Sequence, residues 1–222
     1  MDKTLQGKVA LVTGGSRGLG AATAAALAAR GADVAISYVA SKEKAEAVVA
    51  RLRETGVRAV AIRADQGDTG SAEPLVREVL AALGRLDIVV NNAAIAVIRA
   101  AARVLPEGGR IISVGSGVGT RVLFAGATDY AATKAAIVGY TRGAARDLGA
   151  RGITVNVVQA GIMDTDMAAG ARDALPSAVL DSHAIRRIAE LDEVAAAIVF
   201  LAGPDAGYIT GSVIDVNGGY TA

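Results

Sequence analysis

A chain of 222 residues, 52% of them apolar and 20% charged, is long enough to bury a large core, and its composition does not shift midway as it would at a linker. The 23 basic and 22 acidic residues are spread along the chain with no basic tract, which argues against nucleic acid as a partner, and the absence of cysteine removes disulfides, thiolate metal sites and a cysteine nucleophile. The apolar stretch near 195–202 is too short to cross a bilayer and the charged start MDKTLQGK lacks the apolar core of a secretory signal, so no membrane association is expected and the expected location is the cytoplasm.

Short β-branched runs alternate with alanine-rich helical stretches throughout, the pattern of a parallel sheet covered by helices. In chain order the reading predicts a strand from Lys8 to Thr13, a helix from Gly18 to Arg30, a strand from Asp33 to Tyr38 and a helix from Ser41 to Thr55. A strand from Val57 to Arg63, a helix from Thr69 to Leu83 and a strand from Leu86 to Asn91 follow. Next come a short helix from Val97 to Leu105, a strand from Arg110 to Val114, a helix from Asp129 to Gly149 and a strand from Ile153 to Val158. The last elements are a helix from Leu191 to Ala202 and a strand from Val213 to Val216. Residues 163–189 read as a loop with one or two short helices, of the kind that covers a substrate site. One doubly wound α/β domain over residues 1–222 is the expectation.

The first strand runs into Thr13-Gly14-Gly15-Ser16-Arg17-Gly18-Leu19-Gly20, and a helix starts at once. Such a turn presents unpaired N–H groups at a helix N-terminus, where a pyrophosphate binds well. Glycine is needed because any Cβ would hold the backbone away from the phosphates and the helix away from its strand. The second strand ends in Ile36-Ser37-Tyr38-Val39 with no acid to bond a ribose 2′-hydroxyl. Arg17, with Ser41 or Lys42, offers charge-assisted bonds to a 2′-phosphate instead, which favours NADP(H); the alternative is that these polar residues only cap and solvate the second helix.

The glycine spacing resembles the TGxxxGxG of the short-chain dehydrogenase/reductase family, and further motifs stand in that family's order. Asp65 resembles the acid that contacts adenine; Asn91-Asn92-Ala93-Ala94 resembles NNAG with alanine for glycine; Tyr130-Ala131-Ala132-Thr133-Lys134 resembles YxxxK. Ala160-Gly161 followed by Thr165 resembles PGxxxT without its proline, and Ile209-Thr210-Gly211 with Asn217-Gly218-Gly219 resembles the closing strand. The resemblance covers nearly the whole chain and implies a Rossmann-type fold, closest in kind to 3-oxoacyl-reductase-like ketoreductases. It implies cofactor contacts at Gly14, Ser16, Arg17, Gly18, Leu19, Gly20, Tyr38, Ser41, Asp65, Gln66, Asn92, Ala93, Tyr130, Lys134, Gly161, Ile162 and Thr165.

Tyr130 and Lys134 are four apart on an expected helix, so they share one face a turn apart. A phenol titrates near ~10 in water, and an adjacent ammonium stabilises its anion and equips it for proton transfer. Following the resemblance, Tyr130 exchanges a proton with the carbonyl or alcohol oxygen of a small-molecule substrate while hydride moves to or from nicotinamide. Lys134 supports the phenol and bonds the ribose, and Ser116 holds the substrate oxygen. Ser116 lies fourteen positions before Tyr130, one more than in many relatives, so the loop from Val118 to Thr128 reads as carrying an insertion; Ser113 is disfavoured because it falls inside a strand.

Between Asn92 and the fifth strand only a short crossover remains, and a family segment comprising one helix and half of the next is missing, with the asparagine that completes the catalytic tetrad. A parallel crossover needs about a dozen residues, so the sheet should close while the site floor and a helix face used for pairing suffer. This loss leaves an alternative reading, a nucleotide-binding protein of the same fold with little or no catalysis. No metal is expected: Asp164 and Asp166 read as loop and cap residues, and the single histidine, His183, as an exposed loop residue. The resemblance also implies a homo-oligomer, dimer or tetramer, assembled through the last helix and strand.

Overall fold

The computed structural model describes residues 3–92, 95–123, 125–163 and 177–222. Seven strands form one parallel sheet in the order β3-β2-β1-β4-β5-β6-β7. They are β1 (Val9–Val12), β2 (Asp33–Tyr38), β3 (Ala59–Arg63), β4 (Ile88–Asn91), β5 (Arg110–Ser116), β6 (Thr154–Ala160) and β7 (Val213–Val216). The helices are α1 (Gly18–Ala29), α2 (Lys42–Glu54), α3 (Ala72–Leu83), α4 (Ile95–Ala102), α5 (Thr128–Leu148), α6 (Ser177–Asp181) and α7 (Leu191–Ala202).

The central strands are buried on both faces, which is why they read as continuous apolar runs. Alternate residues feed two separate cores. Ala10, Val12, Val34 and Ile36 pack under α1, α2 and α7 with Leu27, Val48 and Ile198; Val9, Leu11, Val89 and Ile111 pack under α3, α4 and α5 with Leu75, Val79 and Ile98.

β5 runs two residues past its predicted end, pairing Gly115 with Gln159 and Ser116 with Ala160. The strand needs glycine at 115, since a Cβ there would lie 2.7 Å from Val157 Cγ1 on the neighbouring strand. The predicted helix from Thr69 divides into a 3-10 turn, Thr69–Ser71, and α3, because Asp68 Oδ1 accepts from the Gly70 N–H at 2.9 Å and tightens the first turn. His183 is not an exposed loop residue as expected. It is 6% exposed, with Nδ1 2.8 Å from the Val179 carbonyl of α6, and its ring centre lies 5.0 Å from that of Tyr220 with the planes tilted by 39°.

The connection from β4 to β5 is short and carries α4. α4 starts two residues earlier than predicted and buries Val97, Ile98, Ala100 and Ala101 against α3 and the sheet. Its C-terminal carbonyls are met by the Arg151 guanidinium, which donates to Ala102 O at 2.6 Å and also to Leu105 O. Across from it, α5 leaves Ala132, Ala135, Ala136 and Gly139 exposed. Among the described residues no helix is long and apolar enough to cross a membrane. Residues 164–176 of the expected 163–189 loop, including Asp164, Thr165 and Asp166, lie outside the described residues, as does Ala93; the part that is described contains α6 and a bridge between Met163 and Ala189.

Candidate active site

In a parallel sheet every strand ends on the same edge, so the segments after β1, β4, β5 and β6 meet there. β1 lies between β2 and β4, where the strand order reverses, and ligands of such sheets bind in the crevice at that point.

The glycine turn after β1 has no spare room. Gly14 and Gly18 adopt φ of 65° and 53°; a Cβ on Gly20 would lie 2.3 Å from Gly14 O, and one on Gly15 would lie 2.6 Å from Ile36. Buried Ser37 of β2 pins the turn, its hydroxyl accepting from Gly14 N at 3.2 Å and its carbonyl from Gly15 N at 2.9 Å. Arg17, the N-cap of α1, makes no side-chain cap bond, which leaves the helix start suited to an anion. These features fit a dinucleotide pyrophosphate. Replacing Gly20 by alanine should therefore cost about 1–3 kcal/mol of stability and abolish NADPH binding together, a result readable from thermal unfolding and a fluorescence titration of one sample.

The turn is tied to the end of β4. Asn92 N donates to Thr13 Oγ1 at 2.9 Å and Asn92 Nδ2 to Thr13 O at 2.6 Å, with Thr13 fully buried. Asn92 thus holds the cradle's shape through its side chain. Leu19 and Tyr38 pack their side chains into the core, so only their backbones could meet a cofactor. Asp65 is exposed and accepts from Gly67 N at 2.8 Å, while both carboxamide atoms of Gln66 are buried without a partner among the described residues. Ser41 caps α2 without a side-chain bond, and Lys42 faces Glu46 at 3.6 Å. Beside the turn, a groove of about 530 Å³ between α1 and α2 is lined by Ser16, Arg17 and Gly18 on one wall and Lys44 on the other. Gly161 follows β6 and its N–H donates to Val216 O at 3.0 Å, while Ile162 O accepts from Ala189 N at 2.9 Å.

Ser116 ends β5, and its hydroxyl accepts from Val118 N at 3.3 Å. The next turn, Gly117–Gly119, lies hard against α5: a Cβ on Gly119 would sit 2.9 Å from Ala135 N. That contact brings the first turns of α5 to the end of β5. Lys134 Nζ donates to Val114 O at 3.2 Å and stands 5.7 Å from the centre of the Tyr130 ring. Burial pushes the Lys134 ammonium below its ordinary pKa. Tyr130 remains 49% exposed, and Ser113 is fully buried inside β5. Ser116, Tyr130 and Lys134 therefore converge on the edge that carries the glycine turn.

Sequence reasoning quoted Thr13 and Ser37 without their part in pinning the turn, although for Ser37 a hydroxyl inside an otherwise apolar strand was a signal. It missed Lys44, which carries no signal, because a lysine on an exposed helix face is common. Among the described residues no group of His, Asp or Glu side chains could hold a metal ion.

Two family models match, a short chain dehydrogenase model over residues 8–107 and an enoyl-(acyl carrier protein) reductase model over residues 94–221. The chain is 38% identical to the 3-oxoacyl-[acyl-carrier-protein] reductase FabG of Staphylococcus aureus, over 96% of this chain and 97% of the relative. That comparison runs over 240 positions, more than this chain's 222 residues, so part of the relative has no counterpart here. A short chain dehydrogenase from Burkholderia cenocepacia, solved in complex with NADP, superposes with a TM-score of 0.93 at 47% identity over 99% of this chain and 100% of that one. A blue fluorescent protein from a metagenomic library, solved with NADPH, gives 0.93 at 43% identity over 99% and 100%. With its fold, its glycine turn and these likenesses in agreement, the chain belongs to the short-chain dehydrogenase/reductase family of oxidoreductases.

Proposed function

We propose that the protein is an NADP(H)-dependent oxidoreductase that interconverts a carbonyl compound and its alcohol. The observation that carries this reading is the Lys134 ammonium, buried and held by Val114 O beside the Tyr130 ring, on the sheet edge that carries the glycine turn. The bound cofactor supplies hydride to the carbonyl carbon in reduction and accepts it in oxidation. Ser116 donates a hydrogen bond to the substrate oxygen, and Tyr130 gives that oxygen its proton. Lys134 lowers the cost of the negative charge left on Tyr130. Because Tyr130 is half exposed, water can return its proton directly, which removes the need for the relay through the missing family asparagine.

For the cofactor, Arg17 and Lys44 supply positive charge on both walls of the groove beside the turn, and β2 ends without an acid. Ser41 and Lys42 stand at the start of α2, within the same region of sequence. The relatives solved with NADP and NADPH support the same choice. The substrate loop is assigned to about 163–189, and self-association to α7 and β7, since β7 is an edge strand and Phe200 and Tyr208 are exposed large side chains beside it.

The direct test is to titrate the protein with NADPH and NADH by fluorescence and then follow oxidation of the reduced nicotinamide over a panel of ketones and aldehydes. Tighter NADPH binding with turnover is the expected outcome. NADPH binding without turnover on any carbonyl would instead identify a nucleotide-binding member of the family whose chemistry is lost.

A further inference from the structure

After β7 the chain reverses through Asn217, Gly218 and Gly219, the two glycines at φ of 63° and 78°. Asn217 fixes the turn, its Oδ1 accepting from Gly219 N at 3.1 Å and its Nδ2 donating to Asp215 Oδ1 at 3.1 Å and Thr221 Oγ1 at 2.9 Å. A Cβ on Gly219 would lie 2.8 Å from Ala184 Cβ, so the turn packs directly on the segment after α6. Tyr220 is thereby driven inward and is only 6% exposed.

The Tyr220 ring lies between two walls of the candidate site. On one side it presses on Gly117, where a Cβ would come within 2.7 Å of Tyr220 Cδ1, and its hydroxyl donates to Arg121 O at 2.9 Å. Arg121 Nη1 returns a bond to Tyr220 O at 2.9 Å. On the other side the ring meets His183, 5.0 Å between centroids, and His183 is bonded to Val179 O of α6. Gly117 adjoins Ser116; α6 and His183 belong to the segment assigned as substrate loop. None of these contacts involves Thr13, Ser37 or Asn92, the residues that shape the glycine turn.

We infer that Tyr220 is a positioning residue, acting through Gly117 and His183 to hold the Ser116 hydroxyl and the segment from α6 to His183 in one fixed relation. Its kinetic consequence rests on the oxidoreductase reading above. With the ring gone, Gly117 loses its backing and His183 its ring contact, so the substrate oxygen is met by a displaced serine beside a loosened segment from α6 to His183. The nucleotide cradle keeps its own bonds and is unaffected.

The test compares Tyr220→Ala and Tyr220→Phe with the wild type. Displacement of a substrate-holding group by a fraction of an ångström to an ångström costs about 10- to 100-fold, so Tyr220→Ala should lose that much kcat/KM for the carbonyl, with raised KM. Its NADPH Kd should stay within about twofold, and Tyr220→Phe, which keeps the ring, should recover most of the loss. Amide exchange supplies a readout independent of turnover: Tyr220→Ala should speed exchange at 116–121 and 179–187 and leave 13–20 unchanged. If the alanine variant does not fold, Tyr220→Leu keeps apolar bulk without the flat ring and takes the same measurements. Unchanged exchange in both segments, or NADPH binding lost in step with turnover, overturns the role of Tyr220. A wild type that shows the exchange pattern relative to its variant but reduces no carbonyl supports the positioning role and ends only the oxidoreductase reading.

Discussion

Tyr130→Phe should lower turnover by about 10²- to 10⁴-fold, the contribution of a placed general acid, while the NADPH Kd stays within about twofold. The substitution removes one oxygen from a ring that is half exposed, so no buried group loses a partner and the fold should be untouched. Lys134 should then remain bonded to Val114 O, and the loss is confined to proton transfer. An unimpaired variant would remove Tyr130 from the chemistry. The wild type adds a pH signature. Burial lowers the Lys134 pKa, so the ammonium gives up its charge before an exposed lysine does, and the alkaline limb of activity should fall below the ordinary 10.5. Below that lowered value the charged form carries the cost of its burial; the cost disappears as pH rises through the window up to 10.5.

The second large effect is on cofactor choice. A charge-assisted bond contributes about 1.5–3 kcal/mol, so Arg17→Ala should weaken NADPH by about 10- to 150-fold. NADH, which lacks the 2′-phosphate, should change by no more than about threefold. Raising the salt concentration should narrow the wild-type preference, because the groove is open and its charges are screened. Equal loss of both nucleotides would instead place Arg17 at the pyrophosphate.

Much of the architecture could be read from residue pattern because a parallel sheet buried on both faces leaves little ambiguity. Asp33–Tyr38, Val213–Val216 and Leu191–Ala202 were predicted to the residue, the last two flanked by polar or glycine punctuation. β5 was ended at Val114, two residues early; only Val157 on the neighbouring strand shows why the strand continues through a glycine at 115. Of the site, the glycine turn and the Tyr130–Lys134 pair were evident because both depend on local spacing. His183 was misread because its burial depends on Tyr220, which the pattern gave no reason to bring near. The bond from Asn92 Nδ2 to Thr13 O was equally hidden, since its partner is 79 positions away in the chain.

The Arg151 guanidinium that closes the end of α4 comes from beyond α5, 49 positions after its partner Ala102. During synthesis, therefore, the ribosome releases the first four strands and α4 well before the group that satisfies those carbonyls. Until Arg151 emerges, the carbonyls of Ala102 and Leu105 lack that partner, so the end of α4 is completed only once the second half of the chain has been made.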